Sequence, residues 1–176
     1  MLPPVHPGVA YLIYAGGLRL LSRGPPQPLA TVALVVGAVL PDLIDQSLYH
    51  GFGFHTTRTV GHSLVFAIPL CLVVLALVKR RTVSRATAVA FIIGYASHLL
   101  ADAVWPILLN KPAELGYLLW PITYMPAYEG VKPLLVVGDV TITTLWIELP
   151  LLFVALVWWW RDGRPGLHEV SHLRER

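Results

Sequence analysis

Asp42 and Asp45 stand three residues apart, His98 and Asp102 stand four apart, and His6 and His62 each fall at the start of an apolar stretch. Residues three or four apart share one face of a helix, so each Asp/Asp or His/Asp pair can act as a unit. Imidazole nitrogen and carboxylate oxygen arriving from facing helices make a donor set that suits zinc, manganese or iron. Such an ion lowers the pKa of bound water and polarises an ester or phosphoester. A carboxylate beside a ligating histidine also fixes its tautomer. His6, Asp42, Asp45, His62, His98 and Asp102 are therefore expected to be ligands or ligand-orienting groups for one or two divalent ions, zinc first and manganese second.

Arg58 lies four residues before His62, on the same face if a helix begins early, and its guanidinium suits bidentate capture of a phosphate or carboxylate. Ser63 can donate at a helix start or support a ligand; no strand-turn-helix elbow marks it as a nucleophile. With Asp45, these two are the candidate catalytic side chains. His50 and His55 occupy a Gly-aromatic loop, and His168 and His172 occupy the C-terminal tail. Glu148 falls nine residues beyond Asp139, roughly 13 Å at helical rise, which predicts a carboxyl near the middle of a membrane span. It reads either as a bundle contact or as a proton path.

The elements that would position these groups are membrane helices. Of 176 residues, 56% are hydrophobic and 13% are charged, against about 25% charged in soluble domains. Five stretches approach the roughly 20 apolar residues of a membrane crossing: His6 to Leu21, Leu29 to Asp45, Gly61 to Val78, Ala86 to Leu109 and Leu134 to Trp160. The prolines of Arg23-Gly-Pro-Pro-Gln-Pro28 break any helix between the first two. The stretch Pro112 to Pro133, with four prolines and the aromatics Tyr117, Trp120, Tyr124 and Tyr128, reads as an interfacial or re-entrant loop. Trp158-Trp-Trp160 suits an interfacial belt. The expected fold is all-α: an integral membrane bundle of about five transmembrane helices over residues 1–160, with a short cytoplasmic tail over 161–176. The single cysteine, Cys71, allows no disulfide within the chain.

Cytoplasmic loops carry the excess of Lys and Arg. Arg19, Arg23, Lys79, Arg80, Arg81, Arg85, Arg161, Arg164, Arg174 and Arg176 fall on one side, against Arg58, Lys111 and Lys132 on the other. This places the N-terminus outside and the C-terminus in the cytoplasm of a multi-pass cell-membrane protein. It also puts the His/Asp cluster on the non-cytoplasmic side. Because the basic residues sit at helix ends, the net charge of +3 implies topology and no nucleic-acid partner.

Leu40-Pro-Asp-Leu-Ile-Asp45, Arg58-Thr-Val-Gly-His62-Ser63, Gly94-Tyr-Ala-Ser-His98-Leu-Leu-Ala-Asp102 and Leu118-Leu-Trp-Pro121 resemble the membrane-bound metal-dependent hydrolases, the YdjM-like, LexA-binding inner-membrane family. The aspartate spacing is similar to that of archaeal members. The resemblance spans His6 to about Pro121 and implies metal-site roles for His6, Asp42, Asp45, His62, His98 and Asp102, supported by Arg58 and Ser63. Many members carry His directly before the arginine and Thr before the second histidine; here Thr57 and Gly61 stand there, so either a ligand is absent or His55 takes its place.

The sequence thus favours a metal-dependent hydrolase acting on an ester or phosphoester, with a membrane lipid or lipid-linked substrate, because the polar groups gather at one depth. The alternatives are an ion or small-solute transporter using the same cluster, with Glu148 extending the path inward, and a scaffold stapled by its metal.

Overall fold

The computed structural model of the protein describes residues 2–108, 110–123 and 141–167, with side chains of the last helix from Ile147 onward. It is all-helical among these residues: α1 (Val5–Leu20), α2 (Pro28–Phe52), α3 (Leu64–Lys79), α4 (Arg85–Leu108), a 3-10 helix (Pro112–Leu119) and α5 (Thr141–Arg161). Pro28 occupies the first turn of α2, where its missing N–H is harmless. Ser63 caps α3 by accepting from Val65 N, and Ser84 caps α4 by accepting from Thr87 N.

Among the described residues, two helices, α2 and α4, are long and apolar enough to cross a membrane, rather than the five expected. Helices α1 and α3 have 16 residues each, roughly 24 Å at helical rise, short of a hydrocarbon core of about 30 Å. Helix α2 also runs past Asp45 to Phe52, where Gly53 ends it in the left-handed region at φ 69°. Pro41 removes a single ladder bond without stopping the helix. Asp42 and Asp45 therefore sit well inside a helix instead of closing one.

Helix α4 is central: α1, α2, α3 and the 3-10 helix all pack on it. Its closest neighbour is α2, where two glycines let the backbones meet. A Cβ on Gly94 would stand 2.1 Å from Leu34 O, and one on Gly37 would stand 2.3 Å from Phe91 O. Buried Leu34, Ala38 and Ala90 fill the space alongside, the small-residue packing that suits helices lacking a hydrophobic drive between them.

At the end opposite the cluster, the Tyr11 hydroxyl donates to Asp162 at 2.6 Å, and Arg19 forms an ion pair with the same carboxylate. Trp159 Nε1 donates to Pro165 O, and Gly166 packs on Val32 and Pro28. The chain after α5 thus folds back on the bundle. Of the three consecutive tryptophans, Trp160 is the exposed one.

The expected loop from Pro112 opens as the 3-10 helix, which tolerates Pro112 in its first turn. Tyr117 does not lie at a surface; it is completely buried. Residues 124–133 of that stretch lie outside the described residues.

Candidate metal centre

Three segments build the centre. Helix α2 supplies Asp42 and Asp45, α4 supplies His98 and Asp102, and the turn before α3 supplies Arg58 and His62; His6, in the first turn of α1, closes one side. The close α2–α4 packing places His98 Nδ1 2.7 Å from Ala38 O. A carbonyl can only accept, so this nitrogen carries the ring proton and His98 Nε2 faces the centre with its lone pair.

His62 is held in the same manner by a carboxylate. Asp45 is fully buried and accepts from Thr59 N (2.7 Å), Thr59 Oγ1 (2.9 Å), Gly61 N (2.8 Å), His62 N (3.2 Å) and His62 Nδ1 (2.7 Å). Both oxygens are committed to the 59–62 turn. Residues 58–62 wrap this carboxylate as a turn and are not the early start of α3. Gly61 is the residue the site leaves room for, since a Cβ there would lie 2.4 Å from Pro41 O. Tyr95 O–H donates to Gly61 O and fixes the turn from α4. A side chain at position 61 is thus excluded by the backbone of α2.

With both Nδ1 atoms donating, His62 Nε2 and His98 Nε2 face each other at 3.1 Å. Asp42 Oδ1 lies 3.6 Å from the first and 3.7 Å from the second, and Asp102 Oδ2 lies 3.4 Å from His62 Nε2. Ligands on a tetrahedral zinc with bonds of about 2.1 Å are separated by about 3.4 Å. Two groups, His6/His98/Asp102 and Asp42/His62/His98, can hold a metal ion, with ligand atoms within 4.8 Å of one another. His98 has one inward nitrogen and belongs to both.

His6 stacks on His98 with centroids 3.9 Å apart, and its Nε2 lies 3.5 Å from Asp102 Oδ1. Its buried Nδ1 has no hydrogen-bond partner among the described residues. Arg58 pairs with Asp102 at 2.9 Å and lies 5.3 Å over the Tyr117 ring. Ser63 Oγ donates to Trp120 O at 2.5 Å while capping α3, tying the 3-10 helix to the centre.

Burial pulls the pKa of His62 down, but its bonds to Asp102 and Asp45 more than offset this, and the ring titrates above its usual 6.5. Burial likewise raises the Tyr117 phenol to about 12; nearby Arg58 opposes the shift and Asp102 adds to it. The anionic surroundings that raise His62 would also favour a cation between the two imidazoles.

His50 and His55 are exposed and belong to neither metal-competent group. Asp139, His168 and His172 lie outside the described residues. Glu148 is buried and accepts from Leu2 N at 2.8 Å. That bond sets it level with the residues just before α1. Sequence reasoning missed Thr59, Tyr95 and Tyr117; the first two are ordinary core residues by type, and the buried phenol follows a chain reversal that only packing specifies.

These helices and their His/Asp group define an all-helical bundle, two of whose described helices are apolar enough to cross a membrane, with a metal-competent centre at one end. The family model described as YdjM inner membrane protein matches residues 1–168. The chain belongs to that family. No curated protein and no solved structure matches it.

Proposed function

We propose that the protein is a membrane-embedded, metal-dependent hydrolase of an ester or phosphoester at the non-cytoplasmic face. The supporting observation is the His62–His98 pair, whose inward nitrogens approach to 3.1 Å with both outer nitrogens already donating. Two lone pairs at that distance repel unless a cation lies between them, and Asp42 and Asp102 supply the balancing negative charge. His62, His98, Asp42 and Asp102 would hold the ion, with His6 at its edge. Since His98 offers one nitrogen to both groups, the centre suits one ion, zinc or manganese by its donors. Bound there, the ion supplies Lewis acidity and a water of lowered pKa.

The chain's own groups do the rest. Asp45 holds His62 in its tautomer and orientation. Arg58 brings positive charge for an anionic substrate while pairing with Asp102. Ser63 anchors the 3-10 helix over the centre. The charge bias of the loops supports an outward position for this end, where a lipid or lipid-linked headgroup would be the natural substrate. Glu148, bonded to Leu2, does not extend the cluster inward, which favours hydrolysis over conduction.

Metal analysis of purified protein beside a His98→Ala, Asp102→Ala double variant tests the centre; equal metal in both sinks it. A turnover screen with phospho- and carboxy-ester lipids tests the reaction, and uptake by proteoliposomes without turnover would favour transport. Labelling of cysteines introduced near His55 and Arg164 tests topology, and labelling of both from one side would overturn the orientation.

A further inference from the structure

The phenol of Tyr117 has no task in the proposed hydrolysis. It is 0% exposed, and its hydroxyl has no hydrogen-bond partner among the described residues. An unpaired buried hydroxyl costs on the order of 1–3 kcal/mol, and folded proteins leave few such groups unsatisfied. For packing alone, phenylalanine would fill the same volume without that cost.

The ring is held in place from several directions. The Arg58 guanidinium covers one face at 5.3 Å, and the His62 ring stands edge-on at 5.8 Å. The backbone beneath it is fixed by Ser63 Oγ donating to Trp120 O and Thr123 Oγ1 donating to Gly116 O. A buried phenol whose hydroxyl is unpaired among the described residues therefore has its ring against the Arg58 guanidinium, which also pairs with Asp102, and against a histidine of the candidate centre. A donor and a cation side by side suit the charged oxygen of a phosphoryl group better than the neutral carbonyl of a carboxylic ester.

Resting on the hydrolase reading, we propose that Tyr117 and Arg58 form an oxyanion subsite in which the phenol donates to a non-bridging oxygen of a substrate phosphoryl group. The substrate class is thereby narrowed to phosphoesters. Tyr117 is a substrate-binding residue whose hydroxyl gains its partner when the anion enters.

The test uses full-length protein in detergent, loaded with zinc, and inorganic phosphate as the probe, titrated by calorimetry. Tyr117→Phe is expected to weaken phosphate binding by about ten- to a hundred-fold, the worth of a hydrogen bond to a charged group. Its metal content is expected to stay unchanged and its unfolding temperature to be no lower than wild type, since the substitution deletes an unpaired hydroxyl. Equal phosphate affinity in wild type and Tyr117→Phe overturns the subsite, as does a fall in unfolding temperature with unchanged affinity, which would mean that the hydroxyl bonds water and serves the fold. Wild-type protein that takes up zinc but binds no phosphate overturns the subsite and leaves the metal centre standing. Wild-type protein that takes up no metal removes the hydrolase reading and the subsite with it.

Discussion

The inward nitrogens of His62 and His98 stand 3.1 Å apart, on rings whose outer nitrogens are fixed as donors to Asp45 and Ala38. Neither ring can relieve the contact by switching tautomer, because each switch would set a lone pair against an acceptor oxygen. The arrangement is stable only with positive charge between the rings. A proton can supply it, as the raised pKa of His62 indicates, and so can a metal ion.

Metal removal should therefore be felt by the fold. Chelation is expected to lower the unfolding temperature and zinc to restore it; an ion at a hundred times its dissociation constant contributes about 2.7 kcal/mol. In His62→Ala and His98→Ala the metal measured by plasma mass spectrometry should fall to background. Variants that keep wild-type metal, or protein indifferent to chelator, would show that the cation here is a proton alone.

Asp45 acts on the centre through His62 and through the turn that carries it. Asp45→Asn replaces one acceptor oxygen by a donor facing backbone N–H groups, so metal affinity should drop by about 10- to 100-fold. Asp45→Ala strands the N–H groups of Thr59, Gly61 and His62 and should cost about 3 kcal/mol or more, at 1–3 kcal/mol for each buried unsatisfied donor. Chelator competition measures the first effect and thermal unfolding the second. An Asp45→Asn protein with wild-type affinity would remove the orienting role.

The two sides of the Asp42/Asp45 pair show what could be read from residue types. Their spacing puts both on one side of α2, but three residues are about 60° short of a full turn. Asp42 consequently faces the two imidazoles and Asp45 the 59–62 turn. Which oxygen meets which neighbour depends on backbone N–H groups that leave no trace in side-chain patterning. Helix cores were legible from hydropathy. Their ends and depths were not: the length of α2 depends on Gly53, and the level of Glu148 depends on a bond to Leu2. Tyr117 was hidden because a 3-10 reversal after α4 carries no periodic signal.

The α2–α4 contact is predicted to be intolerant of a single methyl group. Gly94→Ala would drive Cβ to 2.1 Å from Leu34 O, and backbone cannot retreat as a side chain tip can. The helices must separate, shifting His98 from Ala38 O. Stability should fall by about 1–3 kcal/mol, and metal content should fall with it. Gly17→Ala is the internal control: nothing lies within 4 Å of its Cβ position, so helix propensity should dominate and stability should hold or rise by up to about 1 kcal/mol. Equal unfolding temperatures for the two variants would contradict the close packing.

Glu148 separates an anchor from a proton path. As an anchor, its carboxylate accepts from Leu2 N and holds the N-terminal segment against α5, which in turn places His6. Glutamine keeps an acceptor oxygen at that position but cannot titrate. Glu148→Gln should thus leave metal content and lipid-ester turnover within about twofold of wild type, while Glu148→Ala should cost about 1–3 kcal/mol by leaving Leu2 N unpaired. A conducting carboxyl predicts instead that transport fails in the glutamine variant as fully as in the alanine one. Proteoliposome uptake and detergent turnover, measured on both variants, distinguish the two. Loss of function in Glu148→Gln at unchanged unfolding temperature would move Glu148 from the scaffold into the mechanism.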